Sequence, residues 1–501
     1  MLLVILLAVL LVVVVWLVLY FKNVWSYWQK RGVEVLPVTF PYGHAKSYMT
    51  QKKSLHVMYE DFYNDHKMKN LKYGGFYFST TPVLIITDLD LIRRVLVKDF
   101  ASFTDRPMYV NEEADPLSGI TFNLKGQRWR NVRVKVSETY TSDNMRMMFE
   151  TFEKHTNKLG ELMAQCIRDK RPVDIKDIFA RFTMDTIGTA GFGVECNGLS
   201  QQDSEFRKYA MKAFQRDLFG VLKDALMRIC PGLMFRLKAT LIPKDVSDFF
   251  IKLVGDVATY RETNKVTKKD LIQLLIELRN RGRNVPGESE MTINEMAAHA
   301  FGFFNAGFDT ASTALTFCFF ELSRNPLAQE TLRAEIREVL KKNDSKITYN
   351  AIMQMPYLDQ CISEALRMYP PGGLLVRQCT QTYRLPGTNL TVEKGTQIRI
   401  PLLGVHYDPE YYPEPYKFDP ERFSPENKAA RPSCAWMPFG EGPRNCLGMR
   451  FGLMQVKVAV VAMLNQFRFT LNERTKLPIT FDPKSLSLKS EHDIFLNVEK
   501  C

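Results

Sequence analysis

The hydrophobic pattern of the chain divides it at once into two unequal parts. Residues 2–21 are apolar or aromatic without interruption and carry no charge. At helical rise they cover roughly 30 Å, the thickness of a bilayer core, and predict a transmembrane helix. Trp16 and Tyr20 suit an interfacial belt. A cleaved leader would show a basic start, a shorter apolar run and a small-residue cleavage site, none of which is present. Lys22, Lys30 and Arg31 follow the apolar run, so the positive-inside rule places the remainder in the cytosol. The prolines of residues 36–43 predict a stiff, extended connector. Beyond it, helical periodicity recurs over 143–169, 174–190, 203–216, 244–262, 267–280, 292–323, 326–342 and 356–369. Residues 75–78 and 83–86, separated by Ser-Thr-Thr-Pro, predict a β-hairpin. A second hairpin is expected over 390–401, turning near Glu393-Lys394-Gly395. The expected architecture is mainly α with a small β region. It comprises an anchor at 1–21, a basic, proline-containing linker at 22–50 and one large globular domain at 51–501.

Composition narrows this picture. The 501 residues are 46% apolar and 12% aromatic, enough for a large core and unlike a disordered chain. Nine scattered cysteines form no CxxC pair, which points to a reducing compartment without a disulfide framework or zinc site. The net charge of +12 fits an anionic membrane surface or an acidic protein partner; no nucleic-acid-binding signature accompanies it. Glycosylation patterns at Asn343 and Asn389 should stay unused in a cytosolic domain. Residues 218–242, rich in Leu, Phe and Met with scattered Lys and Arg, read either as core helix or as an apolar lid that dips into the membrane.

The chemistry concentrates at Cys446, within Phe439-Gly440-Glu441-Gly442-Pro443-Arg444-Asn445-Cys446-Leu447-Gly448. A lone cysteine is usually a small buried hydrophobe. Neither phosphate-loop pattern fits, because a third glycine in register and a Lys-Ser or Lys-Thr pair are missing. The glycines allow a tight turn. An apolar helix starting near Leu447 would direct its positive end at the sulfur, and with Arg444 would favour the thiolate expected of a metal ligand. Glu364 and Arg367 are three apart and share a helix face. Trp129 and Arg133 are four apart and do the same. Arg128, Arg130 and Lys135 lie on other faces of that helix and suit either solvent or an acidic donor. Ala306-Gly307-Phe308-Asp309-Thr310 falls mid-way along a long apolar helix, where glycine costs about 1 kcal/mol relative to alanine. Thr310 can bond back to the helix carbonyl with Asp309 facing solvent or a salt bridge, or the helix can open locally for dioxygen and water.

The Cys446 string resembles the haem-ligating loop of the cytochrome P450 superfamily. The other three motifs occur in the order that superfamily requires, and the anchor resembles its microsomal class. The strings 304–310 and 438–446 look most like insect microsomal members associated with detoxification. The resemblance implies haem b held by the Cys446 thiolate, with Phe439, Gly440 and Ala306 beside it. It also implies propionates bound by Trp129, Arg133, Arg377 and Arg444, and a structural charge triad of Glu364, Arg367 and Arg422. Thr310 would hold bound oxygen or water and Asp309 would relay protons. Electrons would come from NADPH through a flavoprotein reductase, with cytochrome b5 as a second possible donor, and O2 would be the co-substrate. A lipophilic substrate and an endoplasmic reticulum membrane location follow. Five segments are expected to shape the pocket: 109–122, 218–242, 301–308, 371–375 and 486–488. An oxygen-independent isomerase or dehydratase would typically lack Thr310; a non-enzymatic haem carrier or sensor is the other alternative.

Overall fold

The computed structural model describes residues 1–501 apart from 201–203, 215–219, 221–222, 224–225, 228–229 and 286–288. Helix α1 (Leu2–Trp25) stands clear of the body, with none of its residues buried. Its far end is tied down. Trp25 Nε1 donates to the Ser79 carbonyl at 3.0 Å, and the Tyr77 hydroxyl donates to the Trp25 carbonyl at 2.7 Å. Trp28 is buried against Gly75, where any Cβ would meet its ring at 2.5 Å. Val33 and Ala45 are also buried. Residues 25–45 are therefore packed onto the body rather than held away from it.

Helix α2 (Leu55–Met68) opens on Ser54, whose side chain accepts the Val57 N–H. Strands β1 (Tyr73–Phe78) and β2 (Thr81–Ile86) form the expected antiparallel hairpin. The helical body follows: α3 (Gly126–Ser137), α4 (Phe149–Arg168), α5 (Ile175–Ile187), α6 (Glu205–Phe214), α7 (Lys244–Asn264), α8 (Leu271–Asn284), α9 (Ile293–Arg324), α10 (Pro326–Lys342) and α11 (Pro356–Met368). Short β3 (Val173–Asp174) precedes α5. Then come β4 (Leu375–Gln378), β5 (Tyr383–Arg384), β6 (Thr391–Val392), β7 (Gln397–Ile400), α12 (Leu402–His406), α13 (Met449–Gln466), β8 (Phe467–Leu471) and β9 (Phe495–Lys500). Among the described residues the strands form sheets ordered β1-β2-β7-β4, β3-β9-β8 and β5-β6.

Two expectations change. The segment 390–401 holds two strands but no hairpin: β6 pairs with β5, whereas β7 pairs with β2 and β4. Gly395, at φ 93°, donates its N–H to the Cys379 carbonyl and turns the chain from one sheet into the other. Alternation shows a strand's faces but not its neighbours. The long helix α9 also runs without interruption through Gly307, so the expected local opening is absent. The Thr310 hydroxyl donates to the Ala306 carbonyl at 2.6 Å instead, the local bond threonine makes inside helices.

Helix α9 is the axis of the body. A capping box between Thr292 and Glu295 starts it, and every residue from Ala311 to Ser323 is buried. Gly302 and Gly307 admit close neighbours: a Cβ there would meet Ile120 at 3.1 Å and Ile187 at 2.9 Å. Phe301, Phe304 and Phe308 join Phe206, Phe214 and Phe250 of α6 and α7 in one aromatic cluster. Most of 218–229 lies outside the described residues. Beyond it a short helix, Pro231–Arg236, leaves Leu233 and Phe235 exposed, as is Leu237 after it.

His56, His155, His299 and His406 are buried. Burial disfavours the imidazolium and lowers the pKa to about 4 in the first three and about 3 in His406. The folded protein therefore binds fewer protons than the unfolded chain. This contribution to stability is complete above the ordinary value of 6.5 and is lost as pH falls through the depressed values. The thermal unfolding midpoint, followed by circular dichroism, should fall steadily from about pH 6.5 to about pH 4. A flat midpoint over that range would mean these imidazoles are already charged in the fold.

Candidate active site

The Cys446 loop is shaped by backbone before any side chain acts. The Cys446 N–H donates to the Phe439 carbonyl at 2.7 Å and the Gly440 N–H to the Met437 carbonyl at 2.9 Å. Gly440 and Gly442 are left-handed, at φ 70° and 71°. At Gly442 a Cβ would come within 1.9 Å of the Leu96 carbonyl oxygen, which belongs to a π-helical turn over Arg94–Lys98. Only glycine lets the loop sit against that turn. Gly448 caps α13, and its N–H points to the sulfur.

Cys446 is surrounded by protein on nearly all sides, yet its side chain is exposed to an interior surface. Burial pushes its thiol pKa up; the Gly448 N–H, Arg133 and Arg106 oppose that rise. The helix end acts on the sulfur as expected, lowering its pKa through the Gly448 N–H. Desolvation is the larger effect, and the cations acting on the sulfur are Arg133 and Arg106. A coordinated metal ion would reverse the balance and hold the sulfur as thiolate.

Four arginines gather here from separate elements. Arg133, on α3, donates to Asn445 Oδ1 at 2.8 Å, beside Cys446. Arg444 donates to the Leu124 carbonyl at 2.6 Å, and its guanidinium lies 4.1 Å from the centre of the buried Trp129 ring. Arg377, on β4, donates to its neighbour's Val376 carbonyl. Arg106 donates to the Arg444 carbonyl at 3.1 Å. Burial, joined by mutual repulsion at Arg106 and Arg444, pushes their pKa values down, to about 10 for Arg377, about 9 for Arg444 and well below the ordinary value for Arg106. Asp105, 3.8 Å from Arg444, is a single weak counter-charge. Nε of Arg377 and Nε of Arg444 are buried without a hydrogen-bond partner. Such a cluster calls for a dianionic partner. Arg106 was not foreseen, because Thr104-Asp105-Arg106-Pro107 is an aperiodic loop with no local signal.

The charge triad assembles as expected. Arg367 grips Glu364 through two bonds of 2.7 and 2.9 Å, with both side chains fully buried. Arg422 reaches Glu364 at 3.4 Å. A further link was not visible in the sequence. Arg367 Nη1 donates to the His406 carbonyl, and His406 Nε2 accepts the Met437 N–H at 3.1 Å. The triad thus holds the start of the Cys446 loop through a neutral histidine.

On α9, Ala306 and Thr310 are exposed although their neighbours Phe303, Phe304, Phe308 and Ala311 are buried. They form an accessible strip one turn long. Phe303 stacks edge-on with Phe451 at 4.7 Å, joining the strip to the helix that follows Cys446. Asp309 faces elsewhere: it accepts from Ser487 and ion-pairs with Lys489. The proposed basic patch is partly neutralised, since Arg128 bridges Glu112 and Glu295.

These features fit a haem. Among the described residues no cluster of three or more His, Cys, Asp or Glu side chains could hold a metal. A metal at Cys446 would therefore bring its remaining donors with it, as a tetrapyrrole does. The unpartnered guanidinium edges suit its two propionates.

A family model described as cytochrome P450 matches residues 42–497. Similar proteins include cytochrome P450 6a2 of Drosophila melanogaster, 38% identical over 493 residues and 96% of each chain. Probable cytochrome P450 6a13 of the same fly is 40% identical over 98% of each chain. Cytochrome P450 6A1 of Musca domestica is 37% identical over 96% of each.

Two substitutions test this geometry. Arg367→Ala leaves buried Glu364 with only its 3.4 Å contact to Arg422 as counter-charge, a loss of roughly 3–5 kcal/mol; little haem-loaded protein should be recovered, and a stable, fully loaded variant would contradict the triad's role. Gly442→Ala should reduce haem content through the clash with Leu96, whereas Gly452→Ala, where the added carbon meets nothing within 4 Å, should not.

Proposed function

The chain belongs to the cytochrome P450 family, and on that premise we propose that it is a single-pass, endoplasmic reticulum enzyme acting on lipophilic substrates. The family makes it a haem-thiolate monooxygenase, and its relatives make it most like the insect detoxification-type members. In this reading it inserts one oxygen atom of O2 into a xenobiotic or an endogenous lipid or hormone, with electrons passed from NADPH by a membrane flavoprotein reductase. Residues 1–21 anchor it, 22–50 join the anchor to the body, and 51–501 form the catalytic domain. The apolar, unburied α1 supports the anchor. Exposed Leu233, Phe235 and Leu237 support contact of this region with lipid or lipophilic substrate.

The observation that carries the reading is the Cys446 thiol, ringed by guanidinium groups, two of which keep a buried Nε without a hydrogen-bond partner. When bound, the haem would supply dioxygen activation, and ligation by a cysteine thiolate would favour O–O cleavage. Cys446 would ligate the iron, with Phe439 and Gly440 setting its loop. Arg133, Arg377, Arg444, Arg106 and Trp129 would hold the propionates. Ala306 and Thr310 form the accessible strip, where the Thr310 hydroxyl would exchange its bond to the Ala306 carbonyl for one to a small ligand or water. Asp309, next to it, handles protons. The aromatic cluster keeps bulk water from the helix.

The test is the reduced, carbon-monoxide-bound difference spectrum. A strongly red-shifted Soret band that Cys446→Ser abolishes, with NADPH oxidation dependent on added reductase, is expected. A band at the histidine-ligated position, or none, would refute the assignment. Thr310→Ala should uncouple NADPH use from product formation at unchanged haem content; unaltered coupling would remove Thr310 from oxygen handling.

A further inference from the structure

Asp309 sits beside Thr310, and its carboxylate is held by a second segment of the chain. One oxygen accepts the Ser487 hydroxyl and the other holds the Lys489 ammonium. Both partners come from a turn about 180 residues away in sequence. The turn is itself anchored. Leu488 is fully buried and donates its N–H to the Pro371 carbonyl at 3.0 Å, just beyond α11. The Leu486 carbonyl bonds to His56 Nε2 at 3.1 Å, and the Asp482 N–H donates to the Lys489 carbonyl at 2.9 Å. Ser485 Oγ lies 3.2 Å from Ser487 Oγ. Asp309 is largely shielded, with 13% of its side chain exposed, whereas Lys489 keeps 31% exposed. Two sources of exchangeable protons therefore meet the shielded carboxylate, each on its own oxygen: a partly solvated ammonium and a serine pair.

We propose that Ser487 and Lys489 are positioning residues for Asp309, and that the turn 485–489 is the route by which protons reach it. This rests on the monooxygenase reading above and adds to it the route that supplies the protons. Ser487 releases its proton to the Asp309 carboxylate once that carboxylate has passed one on, takes one from Ser485, and Ser485 takes one from water, so no charge is stranded in the turn. Lys489 keeps its proton and fixes the carboxylate at the inner end of the serine pair. The same turn was expected to line the substrate pocket, so a substrate that displaces it also displaces the proton source. Oxygen activation and substrate binding then share one mechanical element.

The test uses the full-length, haem-loaded enzyme with purified reductase and no added substrate. It compares Lys489→Met, Lys489→Arg and Ser487→Ala with the parent. Lys489→Met should raise hydrogen peroxide released per NADPH by about two-fold or more and alter the solvent isotope effect on NADPH oxidation, with the carbon-monoxide spectrum unchanged. Lys489→Arg should restore both values, and Ser487→Ala should shift them in the same direction as Lys489→Met. Amide hydrogen exchange over 482–490 should rise in Lys489→Met, a measurement that requires no turnover. Unchanged exchange would show that the ion pair does not tether the turn. Faster exchange with unchanged peroxide yield and isotope effect would make the pair structural only; either result overturns the proposal. The parent's thiolate spectrum is scored separately, so failure of the family-level reading and failure of this one are distinguishable.

Discussion

Arg106, Arg133, Arg377 and Arg444 are brought from two loops, a helix and a strand into one desolvated neighbourhood beside a single thiol. Like charges in low dielectric repel strongly, and burying a guanidinium without a counter-ion is among the costliest arrangements a protein can hold. Here Asp105 offsets only part of it, and backbone carbonyls of Phe122, Leu124 and Val376 take some of the donors. The remaining donors are left for a dianion. Cofactor binding is therefore coupled to stability: the group that brings the chemistry also neutralises the interior that surrounds it.

That arrangement needs a rigid frame, and the frame is built on the opposite electrostatic principle. Glu364 and Arg367 are fully buried but matched, with two short bonds between them and further donors to the carbonyls of His406 and Pro415. His406 stays neutral because it is buried beside Arg367, and in that state it accepts the Met437 N–H at the head of the cysteine loop. Gly442 and Leu96 fix the other side of the loop by contact of backbone with backbone. The thiol is held by carbonyls, glycines and one neutral ring, so its position does not depend on its own charge state.

Helix α9 divides the labour by turn. Its second half is buried on every face and belongs to the core, while Ala306 and Thr310 are accessible. Asp309 lies one residue from Thr310, and the helical angle between them sends its carboxylate to the 485–489 turn. Adjacent positions thus serve two surfaces, the accessible strip and the 485–489 turn.

What could be read in the chain alone was whatever depends on local pattern. The apolar run of α1, the helical stretches, the 73–86 hairpin, the cysteine loop and the three-residue spacing of Glu364 and Arg367 are short-range features, and each appeared where expected. Motif resemblance extended that reading to Arg422, Arg377 and Trp129. Long-range neighbours were not legible. The strands at 391–392 and 397–400 were visible, but their pairing into separate sheets depends on partners elsewhere in the chain. Arg106, His406, Ser487 and Lys489 sit in aperiodic segments and acquire meaning only from what lies against them. The surroundings of the thiol were not legible for the same reason: a helix end is written in sequence, but which guanidinium groups reach the sulfur and how far it is desolvated depend on everything packed around it. Periodicity is set residue by residue by the backbone, whereas burial and opposed charge exist only once distant segments meet.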